Sequence, residues 1–399
     1  MKTLLIVSGG REALHAASLA KRLGHYVVVS DRDMQAPAFA HADSCVIADW
    51  RSPDETPAAA ERFNRKIRRI DGVMAAEPAA IPAMAETCER LRLPGISSDA
   101  ARLSGDRLLA RERLLAAGIP LPWFSLVATL QALQRIAIER GTPLVIKPAD
   151  GVRSSAQRVS RAEDLDRAYH TARDQSPTQR VMAEEFVIPP HVTAASLVVN
   201  GRCYTVAIAD SILDEEHPPF LIRNGRAIPG TMPGELLSRV GQVIAKTAAA
   251  LGIDFGAMET TLAVRNDQLQ LLNIRMGLPP YVCCRQIALS SGVDIYASAI
   301  KLALGDSLTS EDTIANSGHP SVVKVRYAPP GRIVGICGEE EARMVPGVRE
   351  LVLSLQPGEI IRPEQAPTAA VAVLATGSSR EAAERTARDA LSLLRIENA

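Results

Sequence analysis

Apolar runs alternate with amphipathic stretches along the first part of the chain. The run TLLIVS is followed by two glycines, by REALHAASLAKRLG with helical spacing of its apolar residues, and then by YVVVSD. A strand, a helix and a second strand in this order predict a right-handed crossover and a parallel sheet. DGVMAAE and LPGIS predict two further short strands. Residues 1–95 are therefore expected to form an open parallel α/β domain.

The pattern changes after residue 95, where the stretch SSDAARLSGDRLLARERLLAAG predicts a helix that ends at Gly118. TPLVIKPADG and RVMAEEFV predict strands, and HVTAASLVVNGRCYTVAIAD predicts a hairpin around Asn200 and Gly201. A loop rich in proline and glycine is expected at 214–234, followed by the helix ELLSRVGQVIAKTAAALGI. A second hairpin is expected at 258–277, because its apolar residues alternate on both sides of a polar turn.

The last part of the chain predicts strands closed by an amphipathic helix, from SVVKVRYAPPGRIVGI to the terminal REAAERTARDALSLLRI. The chain of 399 residues is too long for one ordinary core. We therefore expect a central domain at 96–310 and a small C-terminal α/β domain at 311–399.

Composition narrows the classes of function. Lysine plus arginine and aspartate plus glutamate each number 45, so the formal net charge is zero and no general attraction to nucleic acid or anionic lipid is expected. No apolar run approaches the roughly 20 residues that span a membrane. The six cysteines show no CxxC spacing, which is typical of buried thiols in a reducing compartment. A cytoplasmic protein is expected.

Gly9 and Gly10 follow the first strand, and Asp31 ends the second. This arrangement could hold a dinucleotide, with phosphate at the helix start and a ribose hydroxyl on the acid. The full G-x-G-x-x-G pattern is absent, however, so a tight strand-to-helix turn is the stronger interpretation.

Lys147 stands at the end of an apolar strand, where an anion would compensate its burial. The turn that follows contains Gly151, Ser154 and Ser155, residues suited to covering phosphate oxygens. A lysine that only extends its ammonium group from a strand end to solvent is the alternative. On the hairpin at 258–277, Glu259 and Asn273 offer oxygen atoms for Mg²⁺.

Taken in order, GIPLP, PLVIKPADG, AEEFV, LGIDFGAMETTL and LLNIRMG resemble the ATP-grasp superfamily over nearly the whole chain. YAPPGRIVGICG and the terminal helix are similar to the C-terminal domain of its carboxylate–amine ligase branch, which includes biotin carboxylase, purine-biosynthesis enzymes and dipeptide-type ligases. The resemblance implies ATP and Mg²⁺ as cofactors and an acyl-phosphate intermediate. It also implies small-molecule carboxylate and amine substrates, and suggests a homodimer.

The same resemblance assigns expected roles to single residues. Lys147 and Arg275 are the expected catalytic residues, which hold ATP phosphates and the carboxylate or acyl-phosphate. Glu259 and Asn273 are the expected metal ligands. The expected nucleotide-binding residues are Arg107, Lys147, Ser154, Ser155, Glu184, Glu185, Val187 and His191. Among them, the resemblance implies that Glu184 contacts the adenine amine, that the backbone of Glu185 and Val187 lies on the adenine edge, and that His191 lies near the ribose.

Three positions depart from the family pattern. Leu271 stands where a glutamate is usual, and either Glu259 or Thr261 can be aligned with the metal ligand of the first hairpin strand. Arg107 replaces a common phosphate-binding lysine, which keeps the charge. The metal site is therefore expected to be atypical.

Three functions remain open on the sequence. The first is an ATP-dependent ligase that joins a carboxylate to an amine, or to a thiol, through an acyl-phosphate. The second is a degenerate ATP-grasp protein that binds a nucleotide or small molecule without turnover. The third is an NAD-dependent oxidoreductase built on the first domain.

Overall fold

The chain folds into β-sheets flanked by helices, and the computed structural model describes residues 1–103, 105–151, 156–265, 267–316, 318–363 and 365–399. The strands are β1 Thr3–Val7, β2 Tyr26–Asp31, β3 Ser44–Ile47, β4 Gly72–Ala75, β5 Phe124–Val127, β6 Leu144–Pro148, β7 Gln157–Val159, β8 Val181–Glu185, β9 His191–Val199, β10 Arg202–Leu213, β11 Arg223–Ile228, β12 Phe255–Arg265, β13 Gln268–Met276, β14 Ser321–Tyr327, β15 Gly331–Cys337, β16 Val348–Leu353, β17 Ile360–Ile361, β18 Ala369–Thr376 and β19 Arg395–Asn398. The helices are α1 Arg11–Arg22, α2 Glu55–Lys66, α3 Ile81–Leu91, α4 Ser98–Leu103, α5 Arg107–Ala116, α6 Leu130–Arg140, α7 Leu165–Gln175, α8 Gly234–Leu251, α9 Tyr281–Ser291, α10 Ile295–Ala303, α11 Glu339–Met344 and α12 Arg380–Leu393.

The N-terminal sheet is parallel and has the strand order β3-β2-β1-β4. Helix α1 covers it with a face of alanines, because small side chains let the helix lie close to the strands. The parallel α/β arrangement expected for this region is confirmed. The strand expected at LPGIS is wrong: residues 93–97 form a loop, in which Pro94 has no N–H to donate and Gly95 packs against Cys88.

A second sheet, the small sheet, is antiparallel and has the order β5-β8-β6-β7. Helices α6 and α7 pack on it and bury an apolar cluster. The predicted helix before this sheet is divided into α4 and α5. The side chain of Asp106 accepts a hydrogen bond from Leu109 N at 2.9 Å and begins α5 as an N-cap.

The largest sheet, the long sheet, is antiparallel and has the order β13-β12-β9-β10-β11-β14-β18-β16. Both predicted hairpins lie in it, and Asn200 and Gly201 turn the first one with positive φ angles of 50° and 76°. The sheet continues across the expected boundary at residue 310, so the division into domains stays a prediction.

The loop expected at 214–234 is wrong in part, because residues 223–228 form β11 between β10 and β14. Gly225 permits this close approach, since a Cβ there would lie 2.7 Å from Val323 O. Among the described residues, no helix combines the length and apolar character needed to cross a bilayer.

Candidate active site

A cavity of about 180 Å³ lies between the small sheet and the long sheet. The structure brings most of the predicted binding residues together in its wall, namely Arg107, Lys147, Glu184, Glu185, Val187, His191 and Asn273. Ser154 and Ser155, which were expected to cover phosphates, lie outside the described residues. Their role stays a prediction.

Glu184, Arg111 and Lys147 form a buried ion-pair group, here called the Glu184 cluster. Lys147 Nζ lies 2.6 Å from Glu184 Oε2, and Arg111 Nε pairs with Glu184 Oε1. The sequence brings Lys147 and Glu184 together because β6 and β8 are neighbours, with Lys147 opposite Met182 and Glu184 opposite Val145. Such diagonal neighbours share one face of a sheet.

Burial lowers the pKa of Lys147 from 10.5 to about 8, although Glu184 acts in the opposite direction. The lysine does not extend to solvent, since it is only 7% exposed. The Glu184 carboxylate faces two cations in this structure, and its expected contact with an adenine amine stays a prediction.

Helix α5 supplies two arginines to the cavity. Arg107, its first residue, lies 3.4 Å from Pro148 O through Nη1, and burial lowers the pKa of its guanidinium. Arg111 was not predicted from the sequence. It lies on the buried face of the helix with Leu108 and Leu114, and its Nη2 donates to Leu272 O at 2.6 Å. An arginine at an apolar position of the helical pattern was the signal for it.

The opposite end of the cavity holds the residues expected near adenine and ribose. His191 Nε2 lies 2.9 Å from Val187 O, so this nitrogen carries the donated proton. Burial lowers the pKa of His191 and favours its neutral form. The N–H of Glu185 donates to Trp123 O at 2.9 Å, and its carboxylate pairs with Arg265 at 2.6 Å.

Glu259, Arg223 and Arg226 form a second buried ion-pair group, here called the Glu259 cluster. Arg223 Nη1 lies 3.1 Å from Glu259 Oε1, and Arg226 Nη1 lies 2.8 Å from Glu259 Oε2. Burial alone would raise the pKa of Glu259, but Arg226, Arg275 and Arg223 outweigh it and lower this pKa to about 2. Arg223 also donates to Thr261 Oγ1 at 2.7 Å, so both candidate metal ligands of β12 contact one arginine.

Small residues on the strands between them allow Arg226 and Glu259 to meet. The register places Ala195 of β9 beside Glu259 and opposite Ala207 of β10, and Ala209 follows on the same face. Side chains this short leave space above the sheet. Two long side chains from separated strands therefore reach each other across it.

A β-bulge changes the faces that the end of the hairpin presents. The pairing passes from Thr261 with Asn273 to Leu262 with Leu271, which leaves Leu272 as the extra residue. Leu271 packs with Leu262 in the apolar core and is 1% exposed, while Leu272 lines the cavity. Leu271 therefore points away from this cavity.

Mg²⁺ takes several ligands from nucleotide phosphates and water, with one or two protein carboxylates. Among the residues that the structure describes, no group of three or more His, Cys, Asp or Glu side chains could hold a metal ion. The ionised carboxylate of Glu259 and the amide oxygen of Asn273 are enough for a Mg²⁺ ion that takes its other ligands from phosphates and water. Arg223 is the group with which a cation at Glu259 would compete.

A larger cavity of about 350 Å³ adjoins the first one and contains Arg275. The two cavities share Arg107, Arg111, Lys147, Leu272 and Asn273 in their walls. Arg275 Nη2 donates to Leu278 O at 3.1 Å, and its Nε is buried and has no hydrogen-bond partner among the residues that the structure describes. A half-buried guanidinium whose Nε donor is unused is suited to an anionic ligand.

Both carboxylate oxygens of Asp31, at the end of β2, accept hydrogen bonds from backbone N–H groups and are therefore not free to bind a ribose. Asp31 Oδ2 accepts the N–H of Gly9 at 2.7 Å, and Oδ1 accepts that of Asp33 at 2.9 Å. Oδ2 thus holds the strand-to-helix turn after β1, in agreement with the stronger interpretation of the glycine pair, and Oδ1 closes the turn after β2.

Comparison with known proteins adds two domain matches. Residues 17–95 match the ATP-grasp N-terminal domain, and residues 325–399 match the L-amino acid ligase C-terminal domain 2. The structure is similar to that of an L-amino acid ligase from Bacillus licheniformis, with a TM-score of 0.85 and 20% identity over 100% of this chain and 99% of that one.

A second solved neighbour is the biotin carboxylase domain of the Hydrogenobacter thermophilus 2-oxoglutarate carboxylase, in complex with MgADP, ADP and bicarbonate. It has a TM-score of 0.73 and 18% identity over 99% of this chain and 90% of that one. The bound MgADP in this neighbour gives no support to the expectation of an atypical metal site.

The chain is also similar in sequence to other proteins. The chain is 25% identical to protein y4rH of Sinorhizobium fredii over 72% of this chain and 60% of that one. It is 23% identical to a D-alanine–D-alanine ligase of Bordetella avium over 76% of this chain and 93% of that one. The chain spans 60% of the length of y4rH and about half that of several formate-dependent phosphoribosylglycinamide formyltransferases.

Proposed function

Because this chain belongs to the ATP-grasp superfamily, we propose that it is an ATP-dependent ligase that joins a small-molecule carboxylate to an amine. The family resemblance and the mixed α/β architecture predicted from the sequence are confirmed. The named relatives include ligases that form C–N bonds. The activity of this chain and its substrates are our proposal.

The observation that carries the proposal is the charge of the cavity between the two sheets. The Glu184 cluster holds two cations against one carboxylate, and the Glu259 cluster does the same. Arg107 adds a further cation at the wall. Arg223 is the member of the Glu259 cluster that lines the cavity, so cations outnumber carboxylates among the described residues of its wall, which suits the phosphates of a nucleotide.

In the proposed reaction, Lys147 and Arg107 bind the phosphates, while Glu185, Val187 and His191 lie at the adenosine end. A carboxylate oxygen of the substrate attacks the γ-phosphorus of ATP, the bond to the β–γ bridging oxygen breaks, and ADP leaves. The amine then attacks the acyl carbon, phosphate leaves with the C–O bond electrons, and the nitrogen loses a proton. Positioning and charge neutralisation supply most of the rate enhancement in such transfers.

Arg275 is proposed to hold the carboxylate and then the acyl-phosphate, because its buried Nε has an unused donor. Glu259 and Asn273 are the residues that would hold Mg²⁺, and the chemistry supplied by the bound ion is further neutralisation of phosphate charge. The C-terminal domain match supports an amino acid as one substrate. The homodimer and the cytoplasmic location stay predictions.

Two measurements test the proposal. We expect ADP to raise the melting temperature, whereas NAD should not, because a ligand that binds only the folded protein stabilises it. We also expect Mg-ATP to release ADP only when both a carboxylate and an amine are added. Binding of ADP without release of product from any pool of acids and amines would favour the degenerate binding protein, and stabilisation by NAD alone would favour the oxidoreductase.

A further inference from the structure

Two backbone groups of the β-bulge in β13 are bonded outside the sheet. β13 is the edge strand of the long sheet, and Leu272 is the extra residue of its bulge. The N–H of Leu271 donates to Pro120 O at 2.9 Å, and Leu272 O accepts a hydrogen bond from Arg111 Nη2 at 2.6 Å. Because a bulge interrupts the ladder locally, its backbone groups need partners elsewhere. Helix α5 and the connection that follows it supply two of them.

The position of the bulge decides which side chain of β13 stands opposite Thr261. Asn273 occupies that place and lines both cavities, and Arg275 follows two residues later on the same face of the strand. If the bulge moved by one residue, so that Asn273 became the extra residue, its amide would leave this register. The contacts at Leu271 and Leu272 therefore fix the arrangement of two side chains to which the proposed reaction gives a role.

One guanidinium joins this bulge to the small sheet. Besides its bond to Leu272 O, Arg111 pairs through Nε with Glu184 Oε1, on β8. Arg111 is 6% exposed, and the ring centre of Phe124 lies 5.8 Å from its guanidinium carbon. Nε and Nη2 belong to one rigid planar group, so they cannot move independently. A displacement of the Glu184 carboxylate is therefore transmitted to the backbone of Leu272.

The position of Glu184 depends in turn on Lys147. In this structure Lys147 Nζ lies 2.6 Å from Glu184 Oε2, so Glu184 divides its two oxygens between Lys147 and Arg111. Lys147 is also a proposed phosphate ligand, and a phosphate that draws its ammonium group away leaves Arg111 as the paired cation of Glu184. A charged pair in a low-dielectric site strengthens when a competing partner is removed. Nucleotide binding should therefore tighten the contact between Glu184 and Arg111.

Resting on the nucleotide site proposed above, we propose that Arg111 is a positioning residue that couples nucleotide binding at the small sheet to the placement of Asn273 and Arg275 on β13. It acts through Glu184 on one side and through Leu272 O on the other. When ATP is bound, the side chains of β13 are held in the register that the reaction needs. Without ATP, the bulge is held less firmly.

Two variants of Arg111 separate positioning from charge. Arg111→Met removes the ion pair and the hydrogen bond but keeps a long side chain. Arg111→Lys keeps the buried positive charge beside Glu184, but a single ammonium group lacks the fork that contacts two separated acceptors. Arg113→Met is the matched control, because Arg113 is a half-buried residue of the same helix that lines neither cavity.

Amide hydrogen exchange, measured by mass spectrometry, reports the coupling without turnover. We expect ADP to slow exchange in peptides that cover β8 and in peptides that cover β13, on the order of tenfold for the peptide that contains Leu271. In Arg111→Lys and Arg111→Met the slowing should persist at β8 and vanish at β13. Arg113→Met should behave as the unaltered protein. If Arg111→Met does not fold, Arg111→Lys alone decides, because it preserves the charge.

The kinetics give a second readout with any acid and amine that support ADP release. Both Arg111 variants should lower kcat by about 10- to 100-fold, because the reacting groups lose their alignment, and should change the KM for ATP by less than about threefold. A residue that only stabilised the fold would be rescued by Arg111→Lys, which retains the charge.

ADP-dependent slowing at β13 that both Arg111 variants abolish supports the inference, even if no acid and amine release ADP and the ligase proposal fails. Slowing at β13 that persists in Arg111→Lys, its absence from the unaltered protein, or an unchanged kcat in Arg111→Lys overturns the inference. Each of these results leaves the ligase proposal intact, because product release tests that proposal.

Discussion

The two sheets on either side of the cavity of about 180 Å³ carry buried clusters that have the same charges but are built from different residues. Each cluster has one buried glutamate and two cations, Glu184 on the small sheet and Glu259 on the long sheet. The Glu184 cluster contains a lysine, whose pKa is lowered to about 8 by burial. Both cations of the Glu259 cluster are arginines, which stay charged at any pH that proteins tolerate.

The charge of the Glu184 cluster can therefore change near physiological pH, whereas the charge of the Glu259 cluster cannot. Lys147 can lose its proton near physiological pH and so relieve an unbalanced charge, whereas Arg226 has no such route. Arg226 is also only 4% exposed, so water cannot solvate it. The same loss of a carboxylate should therefore have unequal consequences on the two sheets.

The largest effect is expected from Glu259→Gln. The change leaves Arg226 buried without its counter-charge, and the free energy of unfolding should fall by about 3–5 kcal/mol. Urea denaturation at pH 7 measures it. Adding Arg226→Met to this variant should recover most of the lost stability. A loss below about 1 kcal/mol in Glu259→Gln alone would contradict the claim that the charge of Arg226 cannot be relieved.

A smaller and pH-dependent effect is expected from Glu184→Gln, with a loss of about 1–3 kcal/mol at pH 6. Without Glu184, which raises the pKa of Lys147, that pKa should fall further below about 8. Stability rises with pH wherever the unfolded state binds more protons. The variant should therefore recover part of its deficit between pH 6 and pH 9, while the deficit of Glu259→Gln stays constant because the pKa of Glu259 is about 2. Parallel pH profiles for the two variants would contradict this difference.

Nucleotide affinity should depend on pH through Lys147. The pKa of Lys147 in the folded protein is about 8, below its ordinary value of 10.5. As the pH rises above 8, Lys147 of the nucleotide-free protein therefore loses its proton and its positive charge. Because ADP binds the protonated form of Lys147, binding above pH 8 includes the uptake of a proton. The affinity for ADP should therefore fall by up to about tenfold between pH 8 and pH 9. Lys147→Arg should abolish the dependence. Isothermal titration measures both proteins, and an equal fall in the variant would show that another group titrates.

The smallest effect is expected where the two sheets meet in solvent. Arg265 of β12 pairs with Glu185 of β8 at 2.6 Å, but the two side chains are 46% and 35% exposed. Arg265→Ala should lower the free energy of unfolding by less than about 1 kcal/mol. Urea denaturation at low and at high salt measures it, and a loss that salt does not alter would show that the pair is not screened as an exposed pair should be.

Regular alternation made much of the fold predictable. The hairpins at 191–213 and 255–276 follow from period-two patterns and polar turns, and α1 and α8 follow from helical spacing. Strand β11 was not predictable in this way, because RNGRAI carries two arginines and a glycine. Its place in the sheet comes from pairing with β10 and β14, which lie before and after it in the chain.

The candidate site was predictable as a set of residue types but not as a set of pairs. Arg111 stands out as a charged residue on the buried face of a helix, but its partner Glu184 becomes visible only in the packed structure. The family pattern places Leu271 at the position of a glutamate, but this match carries no information on the face that Leu271 occupies. The bulge at Leu272 changes the faces of the residues before it, and no signal in LQLLNIRMG reveals it.

The central proposal is that the acid substrate is activated as an acyl-phosphate in the cavity between the two clusters. An amino acid that supports ADP release, labelled with ¹⁸O in its carboxylate and supplied with Mg-ATP and an amine, tests this step directly by mass spectrometry of the released phosphate. The proposed route predicts one ¹⁸O atom from the amino acid in each phosphate formed. Phosphate released without ¹⁸O would show that water, rather than the carboxylate, accepts the phosphoryl group, and would contradict the ligase mechanism.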